Sequence, residues 1–455
     1  MSPMDLRHYT KDVSDTDNEF SGGISLNSNV RKAAFGALAI PLTFSLAACG
    51  NDATNAESGE KVTIQMAISK SSQDSPFVDR ELLDEFEKQT NIRVNLELLP
   101  AEQTATVLQT KLAVNQPPDV VGYHLYAAQT DLNLERNFLT LEDQPWVSRI
   151  SNTDVLSAYG HVYGFHVSQD TGMQGVVYNK DIFQELGLSV PTTFDEFLAV
   201  CQKIKDAGYT PVYMPFKDNW SIAMWPGAAF ADYVSNNEPD FWDQLNANEK
   251  QWTDVPAFVE ILDKQYQIYE SGYTNKDILS DTYDMAAGKF INKEFAMMIM
   301  GDWFIQDVVT KEPEMNVGLF PMPYSDTPAK MGASPMGGQL FIPKNAKHVE
   351  AAKTFLDFLA SKDVAQRIVD EQHYVSNFTD VQTPELPTYK QEIVDNYITP
   401  HKTVTTMDGH MLVQRDQLYI DLQDQFAGGK TSEQVLADWS EKFKQLMKDK
   451  GVAGF

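Results

Sequence analysis

Two short segments of the chain place a tryptophan directly beside polar side chains. The first is Lys217-Asp218-Asn219-Trp220, and the second is Gly301-Asp302-Trp303. An aromatic ring offers a flat apolar surface, whereas carboxylate, amide and ammonium groups give or accept hydrogen bonds. This combination suits a ligand with an apolar C–H face and a rim of hydroxyl groups, as in a pyranose ring. The alternative is that both tryptophans are core residues.

The elements that would position such residues follow an alternating order in the first part of the chain. Apolar residues alternate over Lys61–Ser69 and from Ile92 to Leu98, as in strands, and Asp119–Val121 begins a third strand. Helices are predicted over Phe77–Thr90 and Thr104–Asn115. This β-α-β-α-β order predicts a parallel sheet, and therefore an α/β fold, with ligands beyond the carboxyl ends of the strands.

Two loops lie at that predicted edge of the sheet and supply further candidate ligand-binding residues. The loop after the first strand contains Ser71 and Gln73, and the run Tyr123-His124-Leu125-Tyr126 follows the third strand. We select Tyr123 and His124 from that run, because an aromatic ring and an imidazole can both contact a polar ligand.

The remainder of the chain continues the α/β pattern. Thr193-x-x-Glu196 predicts a capping box at the start of a helix that ends near Gly208. Residues 209–230 are rich in aromatics and are interrupted by three prolines, and they include the candidate Trp225. Ala296–Met300 predicts a buried strand, and Gln414–Asp449 is predicted to be mostly helical with a break near Gly428-Gly429.

The N-terminal region predicts export. A largely apolar run from Ala33 to Ala48 follows a basic pair and has the length of a secretory signal rather than of a membrane span. Leu46-Ala47-Ala48-Cys49 resembles a bacterial lipobox, so we expect residues 1–48 to be a signal region with an upstream extension and 49–60 to be a tether lipidated at Cys49. Residues 1–29 make a poor signal start, and Val30 is a candidate true start. The alternative is an uncleaved anchor or a plain signal peptide.

Composition excludes several classes of function. The 455-residue chain has a formal charge of −28, which argues against binding to nucleic acid or to anionic lipid. Of its two cysteines, Cys201 lies on an apolar helix face and is expected to be a core residue, so we predict no disulfide. We see no His/Asp/Glu or Tyr cluster that would suit a metal, and we expect neither a metal nor a cofactor.

Several segments, in order along the chain, together resemble the family 1 extracellular solute-binding proteins. These are the sugar-binding lipoproteins of bacterial ABC importers, and they are similar to the maltodextrin-binding proteins. The matching segments are Leu46–Cys49, Val177–Phe183, Val190–Phe197, Gly208–Trp220, Phe290–Trp303, Phe320–Pro323 and Gly338–Leu356.

The resemblance implies a two-lobed periplasmic-binding-protein-like fold with a hinge and a ligand cleft between the lobes. Carried over by segment, lobe 1 would comprise residues 60–170 plus 337–382, and lobe 2 would comprise 175–330 plus 385–455. It also implies stacking aromatics at Trp220 and Trp303, a hinge position for Asp170, and a site contribution near His410, where relatives can carry another aromatic. The full candidate set is Trp220, Trp303, Trp225, Asp218, Lys217, Asp302, Asp170, Tyr123, His124, Ser71, Gln73, Gly338, Gln339 and His410.

The function implied by the resemblance is capture of a carbohydrate, an oligosaccharide in view of the aromatic content of 11%, by a lipid-anchored monomer outside the cytoplasmic membrane. The ligand would be delivered to the membrane permease subunits of an ABC importer. The chain lacks the G-x-x-x-x-G-K-[ST] motif, so a partner must supply the energy. Alternatives are a binding protein for a polyamine or peptide, a sensor for a membrane receptor, and an exported glycan-acting enzyme, for which no catalytic motif is visible.

Overall fold

A computed structural model describes residues 61–72, 75–100, 103–169, 172–334 and 338–455. The predicted signal region, the tether and Cys49 therefore lie outside the described residues, as do Gln73 and Asp170. The described chain belongs to one compact unit, Gly59–Phe455.

The strands of the described residues form two main sheets and one small hairpin. They are β1 (Val62–Ser69), β2 (Ile92–Leu99), β3 (Val120–His124), β4 (Ser157–Ala158), β5 (His161–Val162), β6 (Gly172–Asn179), β7 (Thr210–Tyr213), β8 (Phe295–Gly301), β9 (Val317–Phe320), β10 (Met331–Ser334), β11 (Gly338–Phe341) and β12 (Thr403–Thr405).

Helices connect these strands and cover both faces of the main sheets. They are α1 (Arg80–Thr90), α2 (Thr104–Ala113), α3 (Leu125–Asp131), α4 (Leu134–Asn137), α5 (Lys180–Glu185), α6 (Phe194–Asp206), α7 (Met224–Asn237), α8 (Phe241–Asn246), α9 (Pro256–Glu270), α10 (Ala286–Ile291), α11 (Asp302–Lys311), α12 (Val349–Ala360), α13 (Lys362–Gln372), α14 (Thr388–Ile393), α15 (Asp416–Phe426) and α16 (Ser432–Lys450).

The first sheet has the strand order β11-β3-β1-β2. Strands β2 and β3 both run parallel to β1, which confirms the predicted parallel β-α-β-α-β unit. Strand β11 is added antiparallel to β3 from a distant part of the sequence. Apolar residues of this sheet pack against α1, α12 and α13, where Phe86 and Phe355 lie at the centre. We call this half lobe 1.

The second sheet has the order β12-β10-β6-β8-β7, and β9 also pairs with β6. Strand β6 is antiparallel to β8, β9 and β10, whereas the pairs β7–β8 and β10–β12 are parallel. A larger apolar core surrounds this sheet and extends from Met173 to Met447. We call this half lobe 2. The sheets and cores define the lobes used below, and the lobe boundaries proposed from the sequence stay a prediction.

Helix α7 is an element that the sequence analysis missed. The three prolines of residues 209–230 suggested an irregular segment, yet α7 begins at Met224 and continues to Asn237. Pro226 lies in the first turn of the helix, where a missing backbone N–H costs no intrahelical hydrogen bond. The turn that precedes α7 carries the Asp218–Trp220 segment, so α7 helps to position a predicted part of the site.

Helix α6 shows how local sequence signals act in the structure. Thr193 is its N-cap, and its hydroxyl oxygen accepts from the backbone N–H of Glu196 at 3.3 Å. The Glu196 carboxylate accepts from the backbone N–H and the hydroxyl of Thr192 at 2.8 Å and 2.9 Å. Cys201 is fully buried on the apolar face of this helix, which confirms that it is a core residue. Across the described ranges, no helix has the length and apolar character needed to cross a membrane.

Candidate functional site

The lobe 1 part of the candidate site lies where β3 ends and α3 begins. Tyr123 and His124 are the last two residues of β3, and both are partly buried. The hydroxyl of Tyr123 donates to Oδ2 of Asp131 at 2.8 Å. Burial, reinforced by this carboxylate, raises the pKa of Tyr123, so the phenol stays protonated. Gly338 pairs with His124 across the strand ladder and is exposed.

Gln339 was predicted as a ligand-binding amide, and the structure corrects this prediction. Its side chain is 4% exposed and is already used within lobe 1. Its Oε1 accepts from the backbone N–H of Leu125 at 2.9 Å, and its Nε2 donates to the carbonyl of Val155 at 3.3 Å. Both polar atoms therefore hydrogen-bond within lobe 1, where Gln339 links the start of α3 to Val155.

In lobe 2, the segment from Lys217 to Trp220 is held by Tyr283. The Asp218 Oδ2 accepts from the backbone N–H of Tyr283 at 2.7 Å. The rings of Trp220 and Tyr283 lie 5.2 Å apart and tilted by 58°, and Trp220 is only partly buried. Lys217 is exposed. The segment thus presents one aromatic ring and an ammonium group on a loop that is anchored through Asp218.

The second predicted tryptophan begins α11. Gly301 ends β8, and Asp302 and Trp303 form the first turn of the helix. The Asp302 Oδ1 accepts from the backbone N–H of Met173 at 3.1 Å, which ties this turn to β6. The Trp303 ring lies over Gly301 and Gly172, where an added Cβ would come within 2.0 Å and 2.8 Å of its Cζ3. The ring is therefore seated closely on two glycines while its side chain stays partly exposed.

Tyr283 also links the two tryptophan segments. Its ring packs against Trp220 on one side and against Phe304, the neighbour of Trp303, at 6.0 Å. Its hydroxyl donates to Oδ2 of Asp307 at 2.5 Å, and burial together with this carboxylate raises the pKa of Tyr283. The structure thus brings together the Asp218–Trp220 and Asp302–Trp303 segments around one tyrosine that the sequence analysis did not select.

Trp225 was predicted as a ligand-binding aromatic, and the structure corrects this prediction as well. The side chain is 0% exposed and packs beside Phe194 and Phe197. Its indole N–H donates to the carbonyl of Ile261 at 2.9 Å. Because α7 begins at Met224, the first turn directs Trp225 into the core of lobe 2, and no face of the ring is left for a ligand.

His410 lies against Trp242 of lobe 2, with the two rings 5.0 Å apart and only 3° from parallel. Its backbone carbonyl accepts from Nδ2 of Asn246. Burial lowers the pKa of His410, which favours the neutral imidazole. The ring is thus stacked within lobe 2, and the structure does not bring it to the other predicted residues. Ser71 lies in a short turn after β1, at the predicted edge of the first sheet.

Two residues that the sequence analysis did not select join the lobes. Arg415 is 8% exposed and forms an ion pair with the buried Asp408 of lobe 2. Its Nη2 donates to the Tyr126 hydroxyl of lobe 1 at 3.3 Å, and its guanidinium carbon lies 5.5 Å from the Tyr126 ring centre and 5.4 Å from that of Tyr419. Tyr126 belongs to the run after β3 that the sequence marked as facing a ligand, whereas no local signal distinguishes Arg415.

Partly buried aromatic rings and hydrogen-bonding groups occur in both lobes. Lobe 1 contributes Tyr123 and His124, and lobe 2 contributes Trp220, Trp303 and the exposed Lys217. Within the described residues no group of three or more His, Cys, Asp or Glu side chains is placed to hold a metal ion. An open groove of about 600 Å³ lies beside Lys217, but neither tryptophan lines it, so we do not assign it to the site.

Comparison with protein families places the chain among known sequences. The family described as "Bacterial extracellular solute-binding protein" matches residues 70–366. The chain is 22% identical over 329 residues to the "Multiple sugar-binding protein" of Streptococcus mutans serotype c, which covers 71% of this chain and 77% of that protein. It is 24% identical over 362 residues to the "Melibiose/raffinose/stachyose-binding protein MelE" of Bacillus subtilis. This alignment covers 74% of this chain and 79% of that protein.

Solved structures share the two-lobed fold. A sugar transporter protein of Bacillus licheniformis in complex with stachyose superposes with a TM-score of 0.70 at 19% identity, covering 85% of this chain and 100% of that one. A chitin oligosaccharide binding protein gives a TM-score of 0.74 at 18% identity, covering 86% and 100%. At these identities the likeness establishes the fold, and it confirms the predicted two-lobed architecture.

Proposed function

The chain belongs to the bacterial extracellular solute-binding protein family, and on that premise we propose that it captures a carbohydrate between its lobes and delivers it to an ABC importer. The observation that carries the proposal is the set of partly buried aromatic rings beside polar groups in both lobes. The names of the relatives support it, since those proteins are described as binding multiple sugars or melibiose, raffinose and stachyose. An oligosaccharide is the preferred ligand, because Trp220 and Trp303 offer two separate stacking surfaces.

Each predicted residue has a distinct role in this proposal. Trp220 and Trp303 stack on the C–H faces of sugar rings, and Lys217 donates to hydroxyl groups. Asp218 and Asp302 each hold their loops through a carboxylate oxygen, and we expect both carboxylates to accept from sugar hydroxyl groups. Tyr123, His124 and the open edge at Gly338 complete the lobe 1 wall, where Ser71 and Gln73 are expected to contribute, as is Asp170 at the hinge.

The mechanism is closure of the lobes around the ligand. A sugar that contacts both lobes stabilises the closed form relative to the open form, and only this difference in affinity can shift the equilibrium. Membrane permease subunits would recognise the closed form, and their ATPase partner would supply the energy for transport. The binding protein itself acts as a monomer in this proposal and catalyses no reaction.

We also propose that the protein is anchored by a lipid on Cys49 at the outer face of the cytoplasmic membrane. The support is the sequence alone, namely an apolar run ending in Leu46-Ala47-Ala48-Cys49. In bacteria that process lipoproteins, wild-type protein should incorporate labelled fatty acid and sediment with membranes. Cys49→Ser should lose the label, because the thiol that carries the lipid is absent. Equal labelling of both forms would contradict the assignment.

The binding proposal is tested by calorimetric titration of residues 50–455, which contain the compact unit Gly59–Phe455, with a panel of di- to hexasaccharides. Spermidine and a peptide mixture serve as controls for other ligand classes. Binding of one glycan with a Kd of about 1 μM or tighter, about −8 kcal/mol, is the expected result. If spermidine or the peptide mixture bound and none of the glycans did, the carbohydrate assignment would be wrong. The fold assignment would not be affected.

A further inference from the structure

Four buried polar atoms near the hinge end of the lobe 2 sheet have no hydrogen-bond partner among the described residues. They are Nε2 and Oε1 of Gln174, Oγ of Ser334 and Oγ1 of Thr406. The side chains are 1%, 0% and 0% exposed, in that order. A buried polar group without a partner has lost its hydrogen bonds to water, so four orphaned atoms in one place require an explanation. We call these three residues the Gln174 cluster.

The strand register places the three side chains on one face of the sheet. Gln174 of β6 pairs with Gly332 of β10, and Ser334 pairs with Gly172, two residues away along each strand. Strand β12 runs parallel to β10 with Ala333 opposite Thr405, so Thr406 follows as the neighbour of Ser334. Residues directly opposite one another in a ladder share a face, and residues two apart share it too.

Small residues surround the Gln174 cluster on the same face. Gly172, Gly301 and Gly332 are its neighbours in the ladders, and none has a side chain that could hydrogen-bond to the polar groups. The first turns of α7 cover the face, since a Cβ on Gly332 would lie 3.0 Å from Cβ of Ala228. The Trp303 ring covers the part over Gly172 and Gly301. The cluster is therefore enclosed by glycines, a helix and an indole ring.

We propose that the Gln174 cluster is an internal water site in which ordered water bridges Gln174, Ser334 and Thr406. The donor and acceptor set supports this ligand: an amide supplies both a donor and an acceptor, and each hydroxyl can do either. Buried waters commonly make about three hydrogen bonds to otherwise unsatisfied groups, which matches three side chains on three strands. The cluster has no charged member, so a metal ion or an ionic ligand would lack a counter-charge there.

The position of the site gives the water a role. Strand β6 begins at Gly172, shortly after the chain leaves lobe 1, and β10 ends at Ser334, shortly before β11 returns to lobe 1. Water that bridges β6, β10 and the end of β12 therefore ties together the strand ends next to the interlobe crossings. It also supports the surface on which Trp303 rests. This inference depends on the sheet register and does not rest on the identity of the sugar.

Whether a substitution in the Gln174 cluster lowers or raises the Tm tests the proposal in solution. In Thr406→Val the hydroxyl is replaced by a methyl group of similar size. If the hydroxyl binds water, its loss should lower the Tm by about 1–3 °C, and Ser334→Ala should act in the same direction. Thr405→Val is the matched control, because this neighbouring threonine is exposed, and its Tm should stay within about 0.5 °C of wild type.

A crystal structure of residues 50–455 at a resolution that shows ordered water provides the direct observation. The proposal expects a water oxygen within hydrogen-bonding distance of Gln174 and of at least one of the two hydroxyls. If the crystal structure showed no such water, the proposal would be overturned. A raised Tm for Thr406→Val would also overturn it, because removal of a truly unsatisfied hydroxyl is expected to stabilise the protein.

Discussion

The indole ring of Trp303 rests on two glycines but keeps part of its surface accessible, which is the environment of a stacking platform. We expect Trp303→Ala to weaken sugar binding by about 10-fold or more, because the loss of one stacked ring removes at least about 1.4 kcal/mol. Trp220→Ala should act in the same direction. The measurement is calorimetric titration with the best ligand from the glycan panel. If both variants bound the sugar with unchanged affinity, neither tryptophan would belong to the binding site.

Two further substitutions separate binding from stability. Tyr159 is an exposed aromatic of lobe 1, so Tyr159→Ala should leave both the sugar affinity and the Tm near wild type. Trp225 is enclosed in the core of lobe 2, so Trp225→Phe should lower the free energy of unfolding by about 1–3 kcal/mol while the folded protein keeps its affinity. A selective loss of sugar affinity in Trp225→Phe would contradict its placement in the core.

His410 should make stability depend on pH. Burial lowers the pKa of His410 from its ordinary value of about 6.5, so the unfolded chain binds a proton more readily than the folded protein. Its stabilising contribution is therefore complete above pH 6.5 and is lost as the pH falls through the lowered folded pKa. His410→Phe keeps an aromatic ring against Trp242 but cannot titrate. We expect the urea midpoint of unfolding to fall less between pH 7 and pH 5 in His410→Phe than in wild type. An equal fall in both proteins would refute this role of His410.

Residue types and spacing could predict which segments carry the site but not which atoms are free. The sequence does not distinguish Trp225 from Trp303, and in the structure each lies in the first turn of a helix. Trp225 is buried because α7 packs against Phe194 and Phe197 of α6. Trp303 lies over two glycines, and part of its side chain remains exposed. Likewise, nothing local indicates that the Gln339 amide is used by Leu125, more than two hundred residues earlier.

At the scale of elements, the junction of β8 and α11 places Trp303. An added Cβ at Gly301 would lie 2.0 Å from Cζ3 of the indole, so Gly301→Ala must displace the ring or the turn that carries it. We expect weaker sugar binding and a lower Tm. Gly288→Ala in α10 is the matched control, because Gly288 is exposed and no atom lies within 4 Å of the added methyl group. Titrations and melting curves of both variants test this, and the same effect from both would contradict a role for ring placement.

The sequence predicted strands well where apolar residues recurred at a regular spacing. Alternation predicted β1 and β2, and the buried apolar run predicted β8, because these patterns reflect one or two buried faces of a sheet. Helix α7 was missed because proline was interpreted as an interruption, although Pro226 stands in the first turn. The addition of β11 to β3 joins residues that are about two hundred positions apart, and local periodicity carries no information about such pairing.

At the scale of the whole molecule, the division into two sheets came from the resemblance rather than from pattern. Strands β10 and β11 are separated by a short segment, yet β10 belongs to the lobe 2 sheet and β11 to the lobe 1 sheet. Strand periodicity alone would have joined them as a hairpin. The consequence is functional, because chain segments that change sheets are the places where one lobe can rotate against the other.

The contact of Tyr126 with Arg415 gives the molecule an interlobe interaction that should favour closure. Tyr126→Ala removes the hydrogen bond and the cation–π contact from lobe 1 but leaves the buried Arg415–Asp408 ion pair of lobe 2 intact. The loss of about 1–2 kcal/mol should shift the ligand-free equilibrium toward the open form by about 5- to 30-fold.

Small-angle X-ray scattering should then show a larger radius of gyration for Tyr126→Ala without sugar. The sugar Kd should rise, because binding must now provide the energy of closure that the contact supplied. Saturating sugar should restore the wild-type radius, which separates a shifted equilibrium from a damaged fold. Tyr159→Ala, on the exposed surface of the same lobe, should change neither quantity. An unchanged radius of gyration in Tyr126→Ala would show that this contact does not set the ligand-free equilibrium between the open and closed forms.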